Sequence, residues 1–530
     1  MGNYLNPGND GFRAIRNSGY VDKTGLIAYM NSTIEKSPDR LTSFSRPRRF
    51  GKSFAAKMLC AYYDRGCDSR ELFEDLEIAK SGTFDRYLNQ YDVIYLDITW
   101  FISTADDIRN VVGDLQKSVI RELKEAFPGI VRAEETSLPR VMSAIAQRTG
   151  KKFVVIIDEW DALFREAKYD DVLQKEYVRL LRGLFKSGPV TDMTIAAAYM
   201  TGILPIKKYG TESALTDFQE YTITSPDVLA SYVGFTEQEV KALCMENNID
   251  FDRMKQWYDG YSFENLSSVY NPNSVMSVIK RRCFRSYWTS SETYTSLKGY
   301  ITQNLDGLRD AIIQMLGGER VGIDISTFQN DVISFRSKDD VLTLLIHLGY
   351  VAYDAAEKEG YIPNLEVADA FRTAVKETDW KAVNQALARS DDLLRATIRK
   401  DSDAVAAALE DIHSAETSVL EYNDENSLSC ALTIAYYTAR NYYMIIRELP
   451  AGKRFADLAF IPRPNTDKPA MIVELKYDKD ADTAINQIKT NRYSGVLKNY
   501  AGEILLVGIN YNKVAKGKNA KKHTCIIELG

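Results

Sequence analysis

The chain reads as an α/β protein in three parts: a parallel sheet domain at the amino end, a helical middle region and a second α/β domain at the carboxyl end. Three observations predict this. Apolar runs such as 153–157 alternate with helical stretches over the first part of the chain. A strand buried on both faces needs such a run, and the alternation argues a parallel sheet with helices on both faces and its ligand at the strands' carboxyl ends. Helical spacing with few breakers then fills residues 301–410, and strands return around 455–457 and 472–476.

The first strand, loop and helix start are Thr42-Ser43-Phe44-Ser45-Arg46-Pro47-Arg48-Arg49-Phe50-Gly51-Lys52-Ser53-Phe54. This stretch looks like a Walker A loop, in which backbone N–H groups wrap the phosphates, Lys reaches the β- and γ-phosphates and Ser or Thr binds Mg²⁺. Lys52 and Ser53 fill those roles. Gly51 allows close backbone approach, and the helix start adds positive potential. Arg46 stands where GxxxxGK[ST] has its first Gly.

A second apolar strand covers 92–98, and the third is Phe153-Val154-Val155-Ile156-Ile157 followed by Asp158 and Glu159. The acid closing such a strand helps hold Mg²⁺ in P-loop ATPases, a role for Asp158, and Glu159 is placed to polarise the attacking water as general base. The fourth strand, 194–202, brings Thr201 to sense the γ-phosphate. One strand between the two motif strands is the pattern of the additional-strand ATPases, to which the AAA proteins belong. Taken singly, Gly51-Lys52-Ser53 is also an ordinary basic helix start and Asp158-Glu159 an acidic turn. In order, on alternating strands, they favour nucleotide binding. No arginine finger can be located, so hydrolysis stays open beside binding.

At the other end Asp457 closes Phe455-Ala456-Asp457, and Ile472-Val473-Glu474-Leu475-Lys476 follows. Alternate side chains of a strand share a face, so Glu474 and Lys476 point one way and Leu475 the other, and both meet Asp457 across a hairpin. Mg²⁺ prefers carboxylate oxygen and is held by only one or two protein carboxylates, which Asp457 and Glu474 supply. The Lys476 ammonium suits orienting water or stabilising a transition state. Glu425 begins a helical stretch, 425–443, that brings a further carboxylate to the outer shell, and Gln487 lies on the next helix, which carries Tyr493. Read alone, Glu474 and Lys476 also fit a charge pair on the solvated face of an edge strand. The order of helix with Glu, strand with Asp, strand with Glu-x-Lys and helix with Gln resembles the PD-(D/E)xK nuclease superfamily, with Ala456 where the usual Pro precedes the Asp.

Further residues join these motifs: Gly19-Tyr20-Val21-Asp22-Lys23-Thr24, Trp257-Tyr258-Asp259-Gly260-Tyr261, Tyr270-Asn271-Pro272 and Tyr287-Trp288. With them nearly the whole chain resembles the bacterial AAA-ATPase-like family that carries a PD-(D/E)xK nuclease-like domain at its carboxyl terminus. The loop RPRRFGKS is the most specific signature, and Arg46 is in pattern for that family. The resemblance implies an ATP-binding module coupled to a magnesium-dependent DNA nuclease, with a role in defence or mobile-element biology. It gives Lys52, Ser53, Asp158 and Glu159 the ATPase roles, and Glu425, Asp457, Glu474, Lys476 and Gln487 the nuclease roles. Tyr20, Asp22, Lys23 and Thr24 are expected near the nucleotide, with core packing an equal use for Tyr20. A nucleotide-switched regulator that binds DNA or protein without cutting uses the same residues.

The expected division is a P-loop NTPase domain over 1–222, a helical lid over 223–300, a helical connector over 301–410 and a restriction-endonuclease-like domain over 411–530. In the lid region Tyr258, Tyr261 and Trp288 suit either stacking of bases or core packing, the commoner use of dense aromatics. The six cysteines show no CxxC pair, which argues against disulfides and structural zinc and for a reducing cytoplasm. Apolar runs fall short of the ~20 residues of a membrane helix, and the first thirty residues lack a signal-peptide core. His347, His413 and His523 do not cluster. A net charge of −6 makes the whole chain no magnet for nucleic acid, but Lys513, Lys516, Lys518, Lys521 and Lys522 form either a phosphate grip or a solvated loop. The expected partners are ATP, DNA and further copies of the chain, with no membrane.

Overall fold

The computed structural model describes the chain apart from residues 1, 37–38, 187, 207, 210–211, 214, 264–265, 289–292, 304, 329–334, 379, 415–424, 452–453, 464–465, 492–501 and 514–521. Its residues fall into two units, 1–288 with 322–367, and 289–321 with 368–530. The helical stretch 301–410 is therefore divided between them.

In the first unit β1 (Leu41–Ser45), β2 (Asp92–Asp97), β3 (Phe153–Asp158), β4 (Ile195–Gly202) and β5 (Gln219–Tyr221) form one sheet in the order β2-β3-β4-β1-β5. Every neighbouring pair is parallel. The strand between β1 and β3 in the chain is β2, but in the sheet that place belongs to β4. This order sets the carboxyl ends of β1, β4 and β3 side by side, with Phe44 paired to Thr201 and Ile157 to Met200.

Both faces are covered, as the continuous apolar runs require. Phe153, Val155 and Ile157 share a core with Val112, Leu115 and Val119 of α2 (Val111–Ala126), Val141 and Ile145 of α3 (Leu138–Thr149) and Leu181 of α4 (Asp171–Phe185). On the other face Val154 and Ile156 are equally buried where α1 (Lys52–Tyr63) packs on β3. Farther along, α5 (Glu237–Asn247), α6 (Phe251–Tyr258) and α7 (Pro272–Arg281) enclose a smaller core of Val240, Met254, Tyr258, Val275 and Tyr287. Tyr258, Tyr261 and Trp288 are all buried, so these rings fill interior space.

The second unit carries α8 (Glu425–Ala435), β6 (Tyr443–Ala451), β7 (Arg454–Pro462), β8 (Ala470–Tyr477), α9 (Ala481–Asn491), β9 (Ile504–Tyr511) and β10 (His523–Leu529). The sheet runs β6-β7-β8-β9-β10. Only the β8–β9 pair is parallel. Thus β8, with Glu474 and Lys476, is the central strand and not an edge. A Cβ on Gly508, paired with Glu474 across β8 and β9, would lie 2.7 Å from the Ala481 carbonyl oxygen and 2.8 Å from Ile485 Cγ1. A glycine there lets α9 settle on the sheet. No described helix is long and apolar enough to cross a membrane.

Candidate active sites

β1 ends at Ser45, and residues 46–51 turn the chain into α1. Two of them are left-handed, Arg49 at φ 69° and Gly51 at φ 97°. Glycine adopts that region without steric cost, and here a Cβ would meet nothing within 4 Å, so the backbone faces open space. Lys52 is 3% exposed; its Nζ donates to the Pro47 carbonyl at 3.1 Å and pairs with Glu159 Oε1 at 3.5 Å.

Asp158, 2% exposed at the end of β3, accepts from Thr201 Oγ1 at 2.7 Å and from the Tyr95 hydroxyl at 3.3 Å. The Ser53 side chain stands close enough to act on the same carboxylate. Burial pushes the Asp158 carboxyl up, with Ser53 and Thr201 acting against it. Glu159, next in the chain at φ 51°, also receives Arg165 Nη2 at 2.6 Å. Burial raises its carboxyl, but Lys52, Arg165 and Arg48 together outweigh that and hold it below the usual carboxylate range. Four residues expected from three separate segments, Ser53, Asp158, Glu159 and Thr201, thus stand around Lys52.

Not every residue of the loop faces this space. The Arg46 guanidinium, expected among the phosphate-binding residues, is fully buried instead; it donates to the carbonyls of Ser45 (3.1 Å) and Thr222 (2.7 Å) and lies 4.5 Å and 5.0 Å from the ring centroids of Phe44 and Phe263. Pro47 packs against Gly349. Arg49 donates to the Tyr287 carbonyl at 2.8 Å, buried Phe50 meets Tyr261 edge-on and Phe54 is exposed, yet all three still line the space beside the loop. A cavity of about 340 Å³ opens beside the loop, polar along Lys52, Ser53 and Glu159 and apolar along Tyr20, Tyr232, Phe235 and Met276. Asp22 turns inward to Thr24 and the Glu77 N–H, and Lys23 reaches Glu239 of α5 at 2.7 Å.

Reading the sequence missed Tyr95, Arg165 and Asp161. Asp161 accepts from the backbone of Ile203 (3.2 Å) and Leu204 (3.0 Å) and from Arg165 Nε (3.1 Å), tying the end of β4 to the turn after β3. A signal for Asp161 existed in the acid-rich Asp158-Glu159-Trp160-Asp161, and one for Arg165 in its place four residues on; Tyr95 offered none.

In the second unit, Glu474 is 1% exposed and Lys476 5% exposed. Lys476 Nζ donates to Glu474 Oε1 at 2.8 Å, and Gln487 Nε2 of α9 donates to the same oxygen. Asp457 Oδ2 accepts the Leu475 N–H at 2.6 Å. The antiparallel register pairs Leu458 with Val473, and one further step sets Asp457 opposite Glu474. The backbone of Glu425 starts α8, but its side chain lies outside the described ones, as do Tyr493, Lys516, Lys518 and Lys521. Among the described residues, no three His, Cys, Asp or Glu side chains gather as a metal site.

A parallel P-loop sheet and a mixed sheet with a buried Glu-x-Lys define the class, an ATPase-like domain joined to a nuclease-superfamily domain. Residues 7–211 match the family described as "Predicted AAA-ATPase", and residues 424–520 match the PD-(D/E)XK nuclease superfamily. The chain thus carries a domain of each. An uncharacterized protein in the vnfD 5' region of Azotobacter chroococcum mcd 1 is 24% identical over 369 residues, 67% of this chain and 66% of that protein, so the match spans just under two thirds of the relative. Among solved structures, the ORC2 protein of Aeropyrum pernix in ADPNP-ADP complexes is similar at TM-score 0.31 and 10% identity, covering 69% of this chain and 98% of that one. Drosophila ORC bound to DNA follows at TM-score 0.26 and 11% identity, covering 69% and 92%.

Proposed function

We propose that the protein binds ATP with Mg²⁺, hydrolyses it, and uses nucleotide state to govern a Mg²⁺-dependent DNA nuclease in its carboxyl-terminal domain, in cytoplasmic defence or mobile-element control. The observation that carries this reading is the meeting of Ser53, Asp158 and Thr201 beside Lys52 at the carboxyl ends of adjacent parallel strands. Cys60, Cys67, Cys244, Cys283 and Cys525 are free, as a reducing compartment keeps them.

The donors present fit a hard cation at both places. Ser53 and Asp158 would hold it in the first unit, and Asp457 and Glu474 in the second, one or two carboxylates being what Mg²⁺ takes from a protein. A bound ion supplies charge stabilisation at the phosphoryl oxygens. The chain's own residues do the rest. Lys52 exchanges its hold on Pro47 and Glu159 for the nucleotide phosphates; Arg165 still keeps Glu159 ionised, and the loss of Lys52 makes that carboxylate the stronger base toward water. Thr201, already on Asp158, would sense the γ-phosphate from there. In the second unit Lys476 and Gln487 fix one oxygen of Glu474.

The test is ATP hydrolysis and DNA cleavage by the full chain with Mg²⁺, beside Lys52→Ala and Glu474→Ala. Hydrolysis lost in the first with cleavage no longer responsive to ATP, and cleavage lost with hydrolysis kept in the second, supports both sites and their coupling, whereas cleavage indifferent to ATP and to Lys52→Ala removes the coupling. Cleavage that survives Glu474→Ala removes the nuclease half. DNA binding without cutting in Mg²⁺ would instead mark a nucleotide-switched regulator.

A further inference from the structure

The carboxyl end of α7 runs into Lys280-Arg281-Arg282-Cys283-Phe284-Arg285, four cations in six residues of a chain whose net charge is −6. All four are exposed, and so is Arg253 of α6. Exposed arginines usually sweep many rotamers, but these are held. The guanidinium carbons of Arg281 and Arg285 lie 5.8 Å and 5.1 Å from the Tyr287 ring centroid, and that of Arg253 lies 4.6 Å from Phe284. Arg282, left-handed at φ 55°, donates to the Asn247 carbonyl.

Tyr287 is itself a fixed post. Its N–H donates to Glu366 at 2.7 Å, its hydroxyl to the Cys283 carbonyl at 2.6 Å, and its carbonyl accepts from Arg49. Among the described residues none of Arg253, Lys280, Arg281, Arg282 or Arg285 pairs with a carboxylate. Asp250, in the same corner, caps α6 through the Arg253 N–H at 3.1 Å.

A guanidinium stacked on a ring keeps its N–H edge for another partner. Several such edges, preorganised and without carboxylates, match the repeating phosphate oxygens of a nucleic-acid backbone. A membrane surface asks for apolar side chains beyond the cations, whereas Phe284 and Tyr287 lie beneath them.

We infer that Arg253, Arg281, Arg282 and Arg285 form a DNA phosphate-contact surface on the first unit, additional to the Asp457, Glu474 and Lys476 cluster. This rests on the reading of DNA as the substrate of the second unit. The surface positions a duplex without reading its sequence, because phosphate contacts carry register and not base identity.

Fluorescence anisotropy of a labelled duplex oligonucleotide, with the full chain and no divalent metal over a salt series, tests it. The double reversal R281E/R285E is expected to weaken binding about 10-fold at low salt and to flatten the slope of log K against log salt by about 0.9 for each lost contact. R281K/R285K retains most of the affinity, and R253E, on another helix, loses about 3-fold and keeps the test open if the double variant does not fold. Reversal that leaves affinity and salt slope at the parent's values overturns the inference while the nuclease reading stands. A parent that binds no DNA at any salt overturns both. Capture of anionic phospholipid vesicles, lost on reversal while DNA binding holds, assigns the surface to lipid and also overturns it.

Discussion

The two candidate sites hold their acids in opposite ways. Asp158 is met by groups distant in the chain, Thr201 at a separation of 43 residues and Tyr95 at 63. Glu474 is met by Lys476 two residues on and by Gln487 thirteen on, and Asp457 by the Leu475 N–H eighteen on. The contacts described at the first site cross the parallel sheet, and those described at the second lie within one hairpin and the helix after it. Loss of sheet order is therefore expected to silence nucleotide chemistry first.

The strongest way to break this contrast is Glu159→Gln. ATP hydrolysis is expected to fall by about 10²–10⁴-fold with ATP affinity retained, since a base is removed and the phosphate loop is not. Steady-state hydrolysis beside equilibrium ATP binding checks it, and equal losses in both would contradict the assignment. Next comes Glu474→Ala, which strands the buried Lys476 ammonium; breaking a buried pair costs about 3–5 kcal/mol, read by urea unfolding of the second unit, while ATP hydrolysis stays.

Glu366 sharpens the picture of the first unit. Burial lifts its carboxyl from 4.5 to about 7, against the hydrogen bonds from Ser274, Tyr287 and Trp288. Between those values the folded chain binds more protons than the unfolded one, so stability falls as pH rises, a loss of about 3 kcal/mol once both states are ionised. Melting temperatures across that range should slope downward for the parent and flatten for Glu366→Gln. The smallest effect belongs to Gly508→Ala. The added methyl presses on the Ala481 carbonyl, costs about 1–3 kcal/mol and draws Gln487 from Glu474. Cleavage should drop with hydrolysis unmoved.

What was legible in the sequence follows the same contrast. Period-two alternation placed Glu474 and Lys476 on one face of a strand, and apolar runs ending in acid or hydroxyl placed Asp158 and Thr201, because those signals are local. The burial of β8 on both faces was not legible, since it depends on α9 and on Gly508 a strand away. Arg46 was read with the phosphate ligands because its position in the loop is visible and its partners, Phe263 and Thr222, are some two hundred residues off. Tyr95 escaped for the same reason, acting on Asp158 through a contact that only the folded sheet creates, whereas Arg165 lies four residues from Asp161 and its signal was local.

The buried Arg46 guanidinium has a consequence for anyone who would repair the loop to the textual GxxxxGK[ST] pattern. Glycine at that position would leave a slot between two phenyl rings and strip a donor from the backbone oxygens of Ser45 and Thr222. A pattern-restoring edit would thus slacken the turn it meant to perfect, and string matching would score the weaker protein as the better one.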